Sequence, residues 1–510
     1  CSYEMCQCFW DAGVSKNTLQ FVPCAGSLAG EHLVKNPKVD FVILTGGEDT
    51  AYTMLKTRPN LLLSAETGGK DATIVTAMAD RDQAVKNVVH SAFSNSGQKC
   101  SATSLLVLEE EVYNDPNFRA GLIDTARSMA VGSVWDFRNR IGTLANKMDG
   151  ALKKAVESLD EGEEWALKPT FVDGNEYMLT PGIKWGVKEG SFCHMTELFG
   201  PVLSVIKARD LKHAVEIVNN TGYGLTSGIE SLDEREVAYW RENLKAGNLY
   251  INRGTTGAIV LRQPFGGMGK SAIGAGRKVG IHNYITQFVD FEEVGEPKIE
   301  RVVRHTFLDK IATWSKGTEH GIHVGFKADF EKLSLAVASY VQNYEDEFSQ
   351  EKDYVKVRGE DNVFRYLPLS KIALRVSAKD SLFDVIARIL GAKIAGSALH
   401  VSIEAGLENS VVSFIYENKE HLLHVNDTLV RETEEAFAKS FGSVQKILYA
   451  HESAISAYVF EEAAKSATFI VRSQPLMEGR VELLHFFQEQ SISHSYHRYG
   501  NIGARALEKK

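Results

Sequence analysis

What most restricts the folding of this chain is a repeated exchange between short apolar runs and stretches whose apolar residues recur every three or four positions. Val39-Asp40-Phe41-Val42-Ile43-Leu44 is a largely apolar run of the kind buried in a parallel sheet, and a helix through Leu55 follows it. Asp80 is a good N-cap for a further helix, along which Ala84, Val85, Val88, Val89, Ala92 and Phe93 form one apolar stripe. Ser104-Leu105-Leu106-Val107-Leu108 then reads as a buried strand. Beyond residue 300 the exchange returns: strands over Lys371–Val376 and Ala398–Ile403 flank a helix through Leu382–Ile394, and Val411–Ile415, Lys446–Tyr449 and Thr468–Val471 read as more strands. Strands alternating with helices predict an α/β fold built on doubly wound sheets. Nearer the start, the pattern predicts a helix over 2–12, a short strand over Leu19–Pro23 and a helical turn over Glu31–Val34.

The segment Ser96-Gly97-Gln98-Lys99-Cys100-Ser101 lies where the helix after Asp80 gives way to a strand, and connections held by rigid elements are where reactive groups usually sit. An isolated cysteine is more often a small buried hydrophobe. The second stretch that bears on this is Leu63-Ser64-Ala65-Glu66-Thr67-Gly68-Gly69-Lys70, with a carboxylate at the end of an apolar run beside two glycines. A thiol that forms an acyl intermediate needs a base to activate water, and a carboxylate in a partly apolar site can have its pKa raised to that task. Cys100 and Glu66 form such a candidate pair.

Several other classes are disfavoured. A net charge of −9 without a basic stripe argues against nonspecific nucleic-acid binding. No apolar run approaches the roughly 20 residues of a membrane span. The start resembles no secretory signal, so the six cysteines read as reduced thiols and the expected compartment is cytoplasmic. Cys1, Cys6 and Cys8 lack a second ligand pair at zinc-site spacing. His485, His494 and His497, with Glu489 one helical turn from His485, form no compact ligand set, so the expectation is no metal and a solvated or hydrogen-bonded tail. Gly269-Lys270-Ser271 is not a P-loop, because Pro264 stands where the leading glycine would be.

Ala65-Glu66-Thr67-Gly68-Gly69-Lys70 and Gly97-Gln98-Lys99-Cys100-Ser101-Ala102 together resemble the paired signatures of aldehyde dehydrogenases. They are most similar to the branch that oxidises glutamate γ-semialdehyde, as carried by the bifunctional proline utilisation A proteins. The resemblance implies that Cys100 is the nucleophile and Glu66 the base for thioester hydrolysis. It implies NAD as cofactor, with Thr45, Gly46 and Gly47 at the pyrophosphate. A glycine pair at a helix N-terminus suits that group, although such glycines are more often merely conformational. Thr196-Glu197-Leu198-Phe199-Gly200-Pro201-Val202 resembles the family's second cofactor motif, which gives Glu197 the ribose hydroxyls and Phe199 the nicotinamide face. In Ile251–Val260 and Arg262–Gly267, the backbone at Gly257 and Ala258 would hold the substrate carboxylate, with Ser101 beside it and Phe265 as an aromatic wall. Without the other motifs this segment is a glycine-rich surface loop.

The resemblance further implies a partial aldehyde dehydrogenase fold. Residues 1–68 would be the C-terminal part of an NAD-binding Rossmann-type domain and 69–283 the catalytic domain. An edge strand through Tyr284–Phe291 with its linker, 284–299, would serve oligomerisation, here of a homo-oligomer. Residues 300–510 would be a degenerate Rossmann-like copy, since no glycine-rich turn follows its strands; Arg480–Leu484 and Tyr496-His497-Arg498-Tyr499-Gly500-Asn501 carry that part of the likeness. The family's oxyanion amide, its adenosine-binding Lys-Pro motif and an FAD-dependent proline dehydrogenase domain would precede Cys1. On this reading the chain is the C-terminal part of a bifunctional enzyme and is inactive or nearly so alone. The implied reaction is NAD-dependent oxidation of L-glutamate γ-semialdehyde, formed from 1-pyrroline-5-carboxylate, to L-glutamate, the second step of proline catabolism. The alternatives are another semialdehyde or a non-catalytic scaffold.

Overall fold

The computed structural model describes residues 1–317, 324–497 and 499–508. Arg498, part of the C-terminal likeness, lies outside the described residues. Among the described residues the largest sheet has nine strands. Their order is Glu360–Pro368, Phe487–Ser495, Asn248–Ile251, Thr226–Glu230, Ala72–Val75, Leu105–Glu109, Val202–Ala208, Gly182–Trp185 and Glu164–Leu167. Its inner pairs are parallel, and the two outermost strands pair antiparallel. Ala72–Val75 and Gly182–Trp185 are buried along their whole length, as strands covered on both faces must be.

A three-stranded sheet joins Phe41–Thr45 in parallel to Leu62–Glu66, with Ala272–Ile273 antiparallel on the other side. A third, all-parallel sheet has the order Thr428–Glu432, Ala398–Glu404, Lys371–Val376, Lys446–Leu448, Phe469–Val471. The helix Leu382–Ala395 packs against it. Ser381 and Asp384 cap that helix reciprocally, and Gly396 ends it in the left-handed conformation. No described helix is long and apolar enough to cross a membrane.

Four expectations are corrected. Leu19–Pro23 joins no sheet among the described residues; the Leu19 carbonyl instead accepts from the Trp10 indole at 2.9 Å. Val411–Ile415 lies in the helix Ser410–Glu417, because the Asn409 side chain caps Val412 N–H at 2.9 Å and Val411, Val412, Phe414 and Ile415 share its buried side. The capped start outweighs the β-branched composition. Tyr284–Phe291 is no strand: His282–Phe288 is a 3-10 helix, in which Tyr284 and Phe288 meet edge to face across one turn and the buried Asn283 amide reaches Glu489 and Tyr366.

The fourth correction concerns the C-terminal residues. Phe487–Ser495 is not a tail but an inner strand, paired in parallel with Asn248–Ile251, so strands from both sides of residue 299 share one sheet. The strand reads as polar because its buried hydroxyls and amides are spent on neighbours. Gln490 donates to the Ala246 carbonyl, Ser491 to the Pro264 carbonyl and Ser493 to the Asn362 side chain. His485, just before it, packs near Arg388, Lys446 and Arg277, and burial pushes its imidazole well below the ordinary value.

Candidate active site

Cys100 sits in the connection between the helix Arg81–Phe93, capped by Asp80 at Gln83 N–H, and the strand Leu105–Glu109. The turn that presents it is unusual: Asn95, Ser96 and Gly97 have φ of 57°, 59° and 63°. A side chain on Gly97 would run into the Gly200 carbonyl, so glycine is required for this close approach. Gln98 completes the link, donating to the Phe199 carbonyl at 3.2 Å and accepting from Ala145 N–H at 2.8 Å. The thiol loop and the Glu197–Gly200 segment are therefore held as one unit. On the other side Thr255 Oγ1 donates to the Ser101 carbonyl at 2.9 Å, and Thr103 bridges Thr73 and Thr255.

Glu66 ends the strand Leu62–Glu66, where parallel register sets it opposite Thr45. Its carbonyl accepts from Gly46 N–H at 3.1 Å, and its carboxylate Oε2 accepts from Gly267 N–H at 3.1 Å. Burial raises the Glu66 pKa well above the ordinary carboxylate range, while the Lys278 ammonium and the Gly267 amide pull it back. The Cys100 thiol is pushed up to about 11, first by burial and then by the carboxylates of Asp71, Glu66 and Glu197. All three carboxylates thus lie within electrostatic reach of the sulfur.

Glu197 Oε1 accepts from Gly69 N–H at 3.1 Å, and a side chain at Gly68, with φ of +89°, would collide with Oε2. Burial raises its pKa too, opposed by that amide and by Lys70. Phe199 has φ of 51° and is 45% exposed. Thr45, Gly46 and Gly47 are exposed at the start of the helix Glu48–Thr57, with Gly47 as its N-cap. These residues fit a dinucleotide. The space around Gly47 is open, the first-turn amides are free of side-chain caps, and Glu197 keeps one oxygen for hydroxyl donors. Glu48 and Asp49 stand in the same first turn and oppose an anion there.

The expected carboxylate-binding residues are gathered less tightly. Ser101 is 7% exposed and lies against Thr255, whereas Gly257 and Ala258 are exposed two residues beyond that anchor, Gly257 with φ of +89°. Ile259 N–H donates to the Gln263 side chain, which in turn donates to Asn362 and Ser493, so the loop leans on the Phe487–Ser495 strand. Phe265 is half-buried and bridges to Val279.

Sequence reasoning missed a buried polar layer behind these groups. Lys278 Nζ donates to Asn248 Oδ1 at 2.8 Å and to the Gly266 carbonyl at 2.5 Å, and Asn248 Oδ1 also accepts from Gly266 N–H. Burial lowers the Lys278 pKa, against the pull of Glu66 and Glu489. Glu489 accepts from Lys278 N–H and from Asn283 and neighbours Arg277 at 3.6 Å. Lys70 and Asp71 are each 2% exposed; burial lowers Lys70 to about 8 and pushes Asp71 well up. Lys70 and Asp71 adjoin the Glu66 motif and could have been found. Glu489 lies 211 positions from Lys278, and nothing in the spacing connects them.

The aldehyde dehydrogenase family profile matches residues 1–294. A 1-pyrroline-5-carboxylate dehydrogenase from Geobacillus thermodenitrificans is 33% identical over 306 residues, 58% of each chain. The Bacillus subtilis protein of that name is 34% identical over 286 residues, 54% of each. The chain thus spans little more than half the length of these relatives. Among solved structures, proline utilization A from Corynebacterium freiburgense superposes on 98% of this chain and 46% of its own, with a TM-score of 0.82 and 32% identity. A 1-pyrroline-5-carboxylate dehydrogenase from Thermus with bound NAD matches 56% of each chain, with a TM-score of 0.53 and 31% identity. With its thiol loop, its buried carboxylate and more than half its length accounted for by one profile, this chain belongs to the aldehyde dehydrogenase family.

Proposed function

We propose that Cys100 and Glu66 serve the oxidation of L-glutamate γ-semialdehyde, the open form of 1-pyrroline-5-carboxylate, to L-glutamate. The observation that carries this reading is the common electrostatic neighbourhood of the thiol and the buried carboxylate, with Gly267 N–H holding the latter. The Cys100 sulfur attacks the aldehyde carbon, its proton leaves for a base, and a thiohemiacetal forms. A thiol pushed up to about 11 holds its proton at neutral pH, so attack needs that transfer. NAD, when bound, supplies the acceptor for the hydride lost from this adduct. Thr45, Gly46 and Gly47 would hold the pyrophosphate, Glu197 the ribose hydroxyls, and Phe199 the face of the reactive ring.

The resulting thioester stays on Cys100. Glu66, with its raised pKa, takes a proton from water as the water oxygen attacks, and the carbon–sulfur bond breaks to return the thiol and release a carboxylate. Ser101, Gly257 and Ala258 would bind the α-carboxylate of the substrate, with Phe265 alongside. The relatives named 1-pyrroline-5-carboxylate dehydrogenase support this choice of aldehyde. Protection of Cys100 from iodoacetamide tests it without requiring turnover. Glutamate semialdehyde should protect at concentrations where propanal does not, and equal protection by both would remove the substrate assignment.

A further inference from the structure

The loop that carries Gly257 and Ala258 is pinned at both ends. Thr255 N–H donates to Ser91 Oγ at 3.0 Å, and Ile259 N–H donates to the Gln263 side chain at 3.0 Å. The thiol connection is tied to the same helical residue, because Thr103 N–H donates to the Ser91 carbonyl at 3.3 Å. Ser91 belongs to the helix Arg81–Phe93, and its hydroxyl donates to the Asn87 carbonyl at 2.7 Å. Thiol segment and loop thus share one fixed point. A chain of hydroxyls joins them a second time. Thr255 Oγ1 has one proton and gives it to the Ser101 carbonyl at 2.9 Å, so it accepts from Thr103 Oγ1 at 3.1 Å, and Thr103 in turn accepts from Thr73 at 2.9 Å. The chain therefore runs one way, from Thr73 in the buried strand Ala72–Val75 to the residue after Cys100, and each donor strengthens the next. Thr73, Ser91, Thr103 and Thr255 are all buried.

We propose that Thr255 is a positioning residue that sets the length of aldehyde the site accepts. By tying the Ser101 carbonyl to the base of the Gly257–Ala258 loop, it fixes how far the loop amides stand from the Cys100 sulfur. Two residues of chain reach at most about 7 Å, so Gly257 stays close to Thr255. This rests on the reading that those amides hold a carboxylate while Cys100 attacks an aldehyde at the other end of the same molecule. In glutamate γ-semialdehyde three carbons separate the two groups. With both ends held, a chain one carbon shorter or longer gives up one contact or the other.

Protection of Cys100 from iodoacetamide by the semialdehydes of succinate, glutarate and adipate, read at the peptide that carries Cys100, tests this on the 510-residue protein. In the parent, glutarate semialdehyde should protect at concentrations about tenfold or more below the other two, the scale of one misplaced methylene in a fitted site. Thr255→Val removes the hydroxyl and keeps the N–H bond to Ser91; the three should then protect at similar concentrations, and Thr255→Ser should restore the ranking. A ranking that survives Thr255→Val would overturn the inference, as would a parent blind to length. Loss of protection by all three and by propanal in Thr255→Val would show only a collapsed thiol loop and overturn it equally. Failure of the underlying substrate reading looks different: propanal then protects the parent as well as glutarate semialdehyde does, and the inference falls with it. If Thr255→Val does not fold, Ser91→Ala, which releases the Thr255 end of the loop, takes its place under the same criteria.

Discussion

The Gly267 amide donates to Oε2 of Glu66 across 3.1 Å, joining residues 201 positions apart. That bond aims the carboxylate, and the carbonyl of the preceding residue, Gly266, is fixed in turn by Lys278 Nζ. Orientation of Glu66 is thus held by one buried network, while its raised pKa comes first from burial and is pulled back by that network.

Iodoacetamide should read the electrostatics of the thiol directly. Alkylation of Cys100 is expected to be slow at neutral pH and to accelerate towards the pKa of about 11. Because the Glu66 charge raises that pKa, Glu66→Gln should move the alkylation profile to lower pH. An unmoved profile would mean the two side chains do not sense one another.

Lys278→Met is expected to shift the pH dependence of thioester hydrolysis upward. Glu66 works as a base only when deprotonated, so the rate rises with pH through its pKa; Lys278 lowers that pKa, and its loss lets burial raise it further. Stopped-flow hydrolysis of acylated enzyme across pH measures the midpoint. Leaving Asn248 and the Gly266 carbonyl without their donor should also cost about 1–3 kcal/mol of stability.

Glu489→Ala should be among the most destabilising single changes, by about 3–5 kcal/mol in urea unfolding, because the buried Arg277 guanidinium loses its counter-charge. A loss below about 1 kcal/mol would show that Glu489 does not compensate Arg277.

Ser101→Ala should weaken carboxylate-bearing aldehydes by roughly fivefold, about 1 kcal/mol, and leave simple alkyl aldehydes unaffected. Competition against iodoacetamide gives both affinities. An equal loss for both classes would contradict the role assigned to Ser101.

Local pattern made the helix before Cys100, the strand before Glu66 and the strands Lys371–Val376, Ala398–Glu404, Lys446–Leu448 and Phe469–Val471 legible, because each has a consistent apolar run or period; the edge strand Thr428–Glu432 goes unseen and the helix Ser410–Glu417 reads as a strand. It failed where long-range contacts decide. Phe487–Ser495 looked like a polar tail because Gln490, Ser491 and Ser493 satisfy partners that lie more than 100 residues away in sequence. Tyr284–Phe291 partly alternates like a strand, yet the buried Asn283 pairing draws His282–Phe288 into a 3-10 helix. At the site, Cys100 and Glu66 were visible from their glycine-rich surroundings, while Lys278 and Asn248 carried no local signature at all.

The most direct test of the thiol–carboxylate pair uses an activated ester of a short carboxylic acid, which acylates a thiol without any oxidation step. The parent protein should release the alcohol and go on turning over, and Cys100→Ser should do neither. Glu66→Gln should release one acyl equivalent per chain and then stall, with hydrolysis slowed by about 100- to 10,000-fold. Steady turnover by Glu66→Gln at the parental rate would contradict the account.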